Sequence, residues 1–244
     1  MKVQLFVTCL IDVLAPRVGE ATVSSLEAAG CEVSFAAGQT CCGQPAYNAG
    51  FNREAAAMAR HTIDVLLETD LPVVIPSGSC TDMIVHHYPE LLADDEAYAD
   101  KAKALASRAR ELTQFLVDDV EADQEVAAKG TVAYHPSCHG LRNLGISDQP
   151  DALLASSDRV DLGAETDVCC GFGGVFSVKR SDVSGELLTR KLDAIEASGA
   201  QTVCGGDLGC LMHLEGGARR RGLDVEFSHI AALLEPVVSE VSDE

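Results

Sequence analysis

Positive charge is scarce in this sequence: 18 Lys and Arg stand against 38 Asp and Glu, a formal net charge of −20. A surface of that sign repels nucleic acid and anionic membrane, which argues against both as partners. The acidic residues run from Asp94 to Asp100 and from Asp118 to Glu125, and gather again at Glu240, Asp243 and Glu244. They read as a solvated coat, of the kind a high-salt cytoplasm favours. Long apolar runs are missing too. No stretch reaches the roughly 20 apolar residues that a membrane-spanning helix needs. The start, Met1-Lys2 followed by Leu5 to Ala15, has a faint likeness to a signal peptide. Asp12 interrupts that run, which reads better as a buried strand running into a loop, and the expected location is the cytoplasm. Tryptophan is absent. So are a P-loop, a G-x-G-x-x-G after a strand and a G-x-S-x-G elbow, which leaves no sequence sign of nucleotide binding or of a serine hydrolase.

What is plentiful is cysteine, ten in 244 residues. Disulfides outside the cell and metal inside it compete to explain such a number, and spacing decides between them. Eight of the ten form two matching sets: Cys9, Cys41, Cys42 and Cys80, then Cys138, Cys169, Cys170 and Cys210. The offsets between the sets are 129, 128, 128 and 130 residues. So constant a shift along half a chain signals duplication. The flanks agree. Val3–Cys9 parallels Val132–Cys138, Cys41-Cys42-Gly43 parallels Cys169-Cys170-Gly171, and Val73–Cys80 parallels Val203–Cys210. Cys31 and Cys204 lack counterparts and read as small core residues.

Hydrophobic periodicity repeats with the cysteines. In the first half, strands are expected at Val3–Val7, Glu32–Ala36 and Pro72–Ile75. Helices are expected at Arg17–Ala29, Asn52–Glu68, from about Thr81, and over Asp100–Val117. In the second half, strands are expected at Val132–His135, Arg159–Leu162, Thr202–Cys204 and Val225–Phe227. Helices are expected at Ser181–Ala197, near Leu208–Arg220, and from His229. The fold class is α/β, two duplicated halves with parallel sheets flanked by helices, residues 1–117 and 131–244 joined by an acidic linker at 118–130.

Ligands of parallel sheets bind beyond the C-terminal strand ends. Every paired cysteine is expected just past such an end, so the eight should gather on one rim as two quartets. Four thiolates at one point suit zinc or an iron–sulfur cluster rather than calcium or magnesium. Structural zinc favours C-x₂₋₄-C knuckles, and no C-x-x-C is present, which tips the choice toward iron–sulfur while leaving zinc open. A helix beginning at Cys80 or Cys210 would ease the thiolate charge. Gly43 and Gly171 allow a turn with positive φ after the double cysteine, and Gly173 and Gly174 allow close backbone approach with N–H groups aimed at an inorganic sulfide. His135 and His139 flank Cys138, and His213 follows Cys210 by three residues. Each is a candidate ligand or proton carrier, with plain local hydrogen bonding the simpler expectation. His86 and His87 are given no role. Lys179 and Arg180 follow the glycine loop, and Arg219-Arg220-Arg221 is the densest basic cluster; exposed helix positions account for them.

Cys … Cys-Cys-Gly … Cys, given twice, resembles the cysteine-rich CCG-domain family, which includes the B subunit of heterodisulfide reductase and iron–sulfur subunits of glycolate oxidase and anaerobic glycerol-3-phosphate dehydrogenase. The compact form is similar to the lactate utilization A family, on the strength of His135-Pro136-Ser137-Cys138-His139, Cys169-Cys170-Gly171-Phe172-Gly173-Gly174 and Gly206-Asp207-Leu208-Gly209-Cys210-Leu211-Met212-His213. The resemblance implies two clusters, [4Fe–4S] in type and one per half, in an electron-transfer subunit. It also implies iron–sulfur B and C partner subunits and a joint oxidation of L-lactate to pyruvate. Lactate oxidation releases two electrons, which leave singly through iron–sulfur centres. The sequence departs from heterodisulfide reductase B in its last motif. Ser77 and Asp207 stand where that protein has the first cysteine of a C-x-x-C. The five-thiolate site of that relative is therefore in doubt here, and a disulfide-cleaving role is a weaker alternative, as is a zinc-stabilised scaffold protein. Either oxygen side chain is a candidate extra ligand, with helix capping the simpler reading.

Overall fold

The structure, a computed structural model, describes residues 1–122, 124, 128 and 130–234. Strands and helices alternate through both halves. The first half runs β1 (Lys2–Leu5), α1 (Cys9–Leu14), α2 (Pro16–Ala28), β2 (Glu32–Phe35), α3 (Gln44–Asn48), α4 (Asn52–Leu66), β3 (Val73–Ile75) and α5 (Gly78–Asp82). It continues through α6 (Tyr88–Leu91), α7 (Ala99–Arg108), β4 (Ala109–Glu111) and α8 (Leu112–Gln114). Wider π-helical turns at Met83–His87 and Phe115–Asp119 extend α5 and α8. The second half runs β5 (Thr131–Tyr134), a π-helical turn (His139–Asn143), α9 (Asp148–Leu153), β6 (Asp158–Arg159), α10 (Val175–Lys179) and α11 (Ser181–Ser198). It ends in β7 (Thr202–Gly205), α12 (Leu208–Arg221), β8 (Glu226–His229) and α13 (Ile230–Leu233).

Local chemistry sets the boundaries. Pro16 opens α2, where its missing N–H costs nothing. Gly199 and Gly222 close α11 and α12 in the left-handed conformation, at φ 70° and 71°. Helix α4 buries Ala55, Ala59, Ile63 and Leu66 along one stripe, and the small alanines let it lie close to the sheet.

Each half forms a four-stranded parallel sheet, ordered β2-β1-β3-β4 and β6-β5-β7-β8. The identical order shows the duplication directly. In both sheets the chain reverses its direction of winding between the first and third strands, and the crevice beyond such a point is where open α/β sheets bind ligands. Cys9 and Cys80 follow β1 and β3, and Cys138 and Cys210 follow β5 and β7.

The halves are knitted together. One apolar core joins Val3, Ile11, Leu26 and Phe115 from the first half to Val132, Leu153, Cys204 and Ile230 from the second. Helix α13 of the second half packs on α2 of the first, and the first half's α8 with its following turn packs on α9. Each half thus lends its last helix to the other. Cys31 and Cys204 are buried in this same core.

Three expected elements differ. The run expected to be helical from Asp100 to Val117 breaks at Ala109–Glu111 into strand β4, paired with β3. Ala, Arg and Glu are good helix formers, so only the pairing partner reveals the strand. The run expected to be a loop after β1 is helix α1, and the strand itself stops at Leu5. The strand expected over Arg159–Leu162 is reduced to Asp158–Arg159. Of the expected linker, Asp118 and Asp119 close a helical turn. Residues 123, 125–127 and 129 of that linker, and the acidic tail at Glu240, Asp243 and Glu244, lie outside the described residues. No described helix is long and apolar enough to cross a membrane.

Candidate metal centre

The strand ends and the two double-cysteine loops open into one cavity of about 230 Å³, and all eight paired cysteines line it. The ten cysteines of the chain are all unbridged. Within each quartet the thiols touch in the same order. Cys41 bonds Cys9 and Cys42, and Cys42 meets Cys80 with its Sγ 3.2 Å away. Cys169 bonds Cys138 and Cys170, and Cys170 bonds Cys210. Cys42, Cys80 and Cys170 are buried, and the other five are half-buried toward the cavity.

Crowding splits the thiol acidities. Hydrogen bonds from Cys42 and Cys9 hold Cys41 down to about 3. Those from Cys138 and Cys170 hold Cys169 down to about 2. The same bonds, read from the donors' side, push Cys9, Cys42, Cys138 and Cys170 upward, with burial adding to the rise. Each quartet therefore concentrates one thiolate on the first cysteine of its double-cysteine step. A cationic core would let the remaining thiols ionise as well, which is the behaviour expected of a soft-metal site.

The double-cysteine loops turn on Gly43 and Gly171, at φ 87° and 93°. In the second loop the Gly171 and Phe172 N–H groups donate to the sulfurs of Cys169 and Cys170 at 3.3 and 3.4 Å. Gly173 and Gly174, also at positive φ, form the cavity wall. The two loops are anchored differently. Tyr88 donates its hydroxyl to the Cys42 carbonyl at 2.7 Å, and Ser184 donates to the Gly171 carbonyl at 2.8 Å. A methyl group on Gly171 would lie 2.6 Å from the Ser184 carbonyl oxygen, whereas on Gly43 it would meet Met58 at 3.2 Å. Gly171→Ala is expected to lower stability by about 1–3 kcal/mol through its backbone conformation, with the clash added. Gly43→Ala should lose less, and urea unfolding of the two variants ranks them.

Ser77 and Asp207 have protein partners. Ser77 caps α5, its hydroxyl accepting from the Cys80 N–H at 3.3 Å. Asp207 reaches across to the other half, where its carboxylate accepts from the Ser79 N–H at 2.8 Å and the Ser79 hydroxyl at 3.2 Å. The start of α5 is thus capped from its own repeat by Ser77 and from the other by Asp207.

Of the histidines, His139 lines the cavity and gives its Nδ1 to a carboxylate. Its Nδ1 meets the buried Asp82 carboxylate at 2.6 Å, and Asn143 and His86 bind the same carboxylate at 2.7 Å each. Burial alone would raise the Asp82 carboxyl, but the bonds from His139, Asn143 and His86 outweigh it and hold the group at about 2. This knot ties α5 to the His139–Asn143 turn of the other half, so His86, given no role from sequence, shares in joining the repeats. His213 leans on the Phe172 ring, their centroids 6.0 Å apart. His135 is different. It is 1% exposed, neither ring nitrogen has a partner among the described residues, and a ring nitrogen lies within 4.8 Å of the sulfurs of Cys170 and Cys210. Arg219 and Arg221 pair with Glu215 and Asp193, as exposed helix positions do.

Thr8 and Glu111 escaped the sequence reading. Thr8, on the cavity wall before Cys9, is held at φ 68°, a conformation that costs a β-branched residue about 1–3 kcal/mol. Nothing in its sequence neighbourhood announces this.

A family model for a cysteine-rich domain, CCG, matches residues 3–85 and again 132–215, each span ending just beyond the fourth cysteine of a quartet. The chain belongs to the cysteine-rich CCG-domain family. Full-length relatives sharpen the placement within it. The chain is 46% identical to the lactate utilization protein A of Macrococcus caseolyticus, over 99% of each chain. It is 44% identical to that of an Exiguobacterium species, over 98% of this chain and 99% of the relative. It is also 44% identical to that of Oceanobacillus iheyensis, over 96% of each. In this member of the family the two CCG repeats face a common cavity.

Proposed function

We propose that the chain binds two iron–sulfur clusters, one per half, and passes electrons within a cytoplasmic complex that oxidises L-lactate to pyruvate. The observation that carries this reading is the meeting of all eight repeated cysteines on one cavity. The residues fit such a group in three respects. The donors are thiolates, with one in each quartet already ionised at neutral pH. The double-cysteine loops turn on glycines that leave backbone close to the sulfurs. A buried imidazole with both nitrogens unpaired among the described residues stands within 4.8 Å of two sulfurs of the second quartet. Cys9, Cys41, Cys42 and Cys80 would hold one cluster, and Cys138, Cys169, Cys170 and Cys210 the other. When bound, such clusters take up and release electrons singly over a wide range of potentials.

The chain's own residues hold, space and shield. Leu10, Ile11, Val175 and Leu208 on the cavity wall keep the surroundings apolar. Both quartets line the same cavity, which supports a relay between two centres. The relatives' names support lactate utilization as the setting, and iron–sulfur B and C subunits would be the partners.

Protein purified without oxygen is expected to contain iron and acid-labile sulfide for two clusters and to give paramagnetic signals on partial reduction. Zinc without iron and sulfide would overturn the cluster reading. In complex with its partner subunits, L-lactate should reduce these centres, and failure to do so removes lactate as the donor. Asp207→Ala is expected to leave the cluster spectrum unchanged, because both carboxylate oxygens already serve Ser79. It should cost about 1–3 kcal/mol of stability for the unpaired N–H left behind, read by urea unfolding.

A further inference from the structure

The two halves repeat each other in cysteines but not in what surrounds them. His135 stands three residues before Cys138, and Phe6 stands three before Cys9. Both are about 1% exposed at the ends of equivalent strands. Phe6 is an ordinary core residue of the first half. His135 brings two polar nitrogens into the same place and pairs neither among the described residues. Leaving one buried polar atom unpaired costs about 1–3 kcal/mol, so an imidazole here calls for a partner that the described residues do not provide. What lies in reach is sulfur. His135, Cys170 and Cys210 can each place a ligand atom within 4.8 Å of the other two. Nitrogen and thiolate ligands bind a transition metal at about 2.0–2.3 Å, so ligand atoms on one ion stand within such a span of each other.

We propose that the His135 imidazole is a ligand of the second centre, so that the first is bound by thiolates alone and the second by thiolates and one nitrogen. This deepens the cluster reading and rests on it. The other described histidines near the cavity stand outside that group of ligand atoms. His139 lines the cavity with its Nδ1 turned to Asp82, and His213, whose Nε2 is also buried without a partner among the described residues, lies against the Phe172 ring. The inequality extends to a second position: the buried Lys191 occupies in α11 the place that Ile63 has in α4, twenty-one residues past the second cysteine of each pair. An imidazole beside the four thiolates gives the second centre a ligand set, and hence a reduction potential, that differs from the first.

The test is pulsed paramagnetic resonance on anaerobically purified, partly reduced protein grown with ¹⁵N-labelled histidine. The expected result is a strongly coupled ¹⁵N nucleus on one of the two centres. It should be lost in His135→Phe, which restores the first half's residue, and kept in His139→Gln and His213→Gln. A redox titration should show the midpoint of that one centre shift in His135→Phe while the other stays. Iron–sulfur signals without any coupled histidine nitrogen in the unsubstituted protein would overturn the ligand. Coupling that survives His135→Phe would do the same. Since the labelled wild type alone can give the negative answer, poor folding of a variant does not protect the proposal. Absence of iron and sulfide in the first place would sink the cluster reading instead, a distinguishable failure.

Discussion

Cys169→Ser is expected to yield protein with about half the iron and acid-labile sulfide of the parent, since four thiolates are the usual complement of a cluster and one quartet would be broken. Cys41→Ser should mirror it. Each replaced residue is the ionised member of its quartet and accepts from two neighbouring thiols. Serine keeps the size but removes the soft ligand, and a hard oxygen binds iron in sulfide surroundings less well. The spectra of the two variants should be different, and their sum should approach that of the parent. Iron analysis with paramagnetic resonance checks this. If either variant keeps its full iron, that quartet is not a cluster site. If either loses all of it, the two centres are not independent.

Glu111→Gln is expected to stabilise the protein, increasingly so as pH rises. Glu111 is 2% exposed at the seam between the halves. One carboxylate oxygen accepts from the Thr113 and Gln114 N–H groups, capping α8. The other has no partner among the described residues. Burial raises the group to about 7, and the nearby Asp207 carboxylate adds to the rise against the relief from Thr113. A carboxyl whose folded value lies above its unfolded one keeps its proton more tightly in the native state. Its contribution is therefore intact below the unfolded value of 4.5 and is lost as pH rises through about 7. The loss amounts to about 3 kcal/mol once ionisation is complete, at 1.36 kcal/mol per unit. Glutamine keeps the capping oxygen and cannot ionise. The gap between the two proteins should widen by about 1 kcal/mol between pH 6 and pH 8. Urea unfolding at both values measures it. A gap that stays constant over that range would mean that Glu111 does not titrate there.

The cysteine pattern was legible because it is redundant: two sets of four at one spacing determine both the repeat and the rim on which they meet. Apolar strands such as β3 and β7 and striped helices such as α4 were equally plain. Strand β4 was not, because Ala109, Arg110 and Glu111 carry helix-forming side chains and owe their extension to β3 alone. Asp207 reads locally as the cap of α12, and its actual partner is Ser79, 128 residues away. Glu111 and the Asp82 knot are hidden for the same reason, since each takes its character from the seam. The sequence marks residues whose role is local or repeated, and it is silent about those whose role depends on contacts between the halves.

The exchange of terminal helices, α13 onto α2 and α8 onto α9, is the arrangement of a two-fold symmetric dimer whose subunits have become one polypeptide. In a true dimer any substitution appears on both sides of the axis, so the two sites can change only in step. Joining the copies end to end lifts that restriction. Phenylalanine at 6 beside histidine at 135, and isoleucine at 63 beside lysine at 191, are differences that a pair of identical subunits has no way to encode.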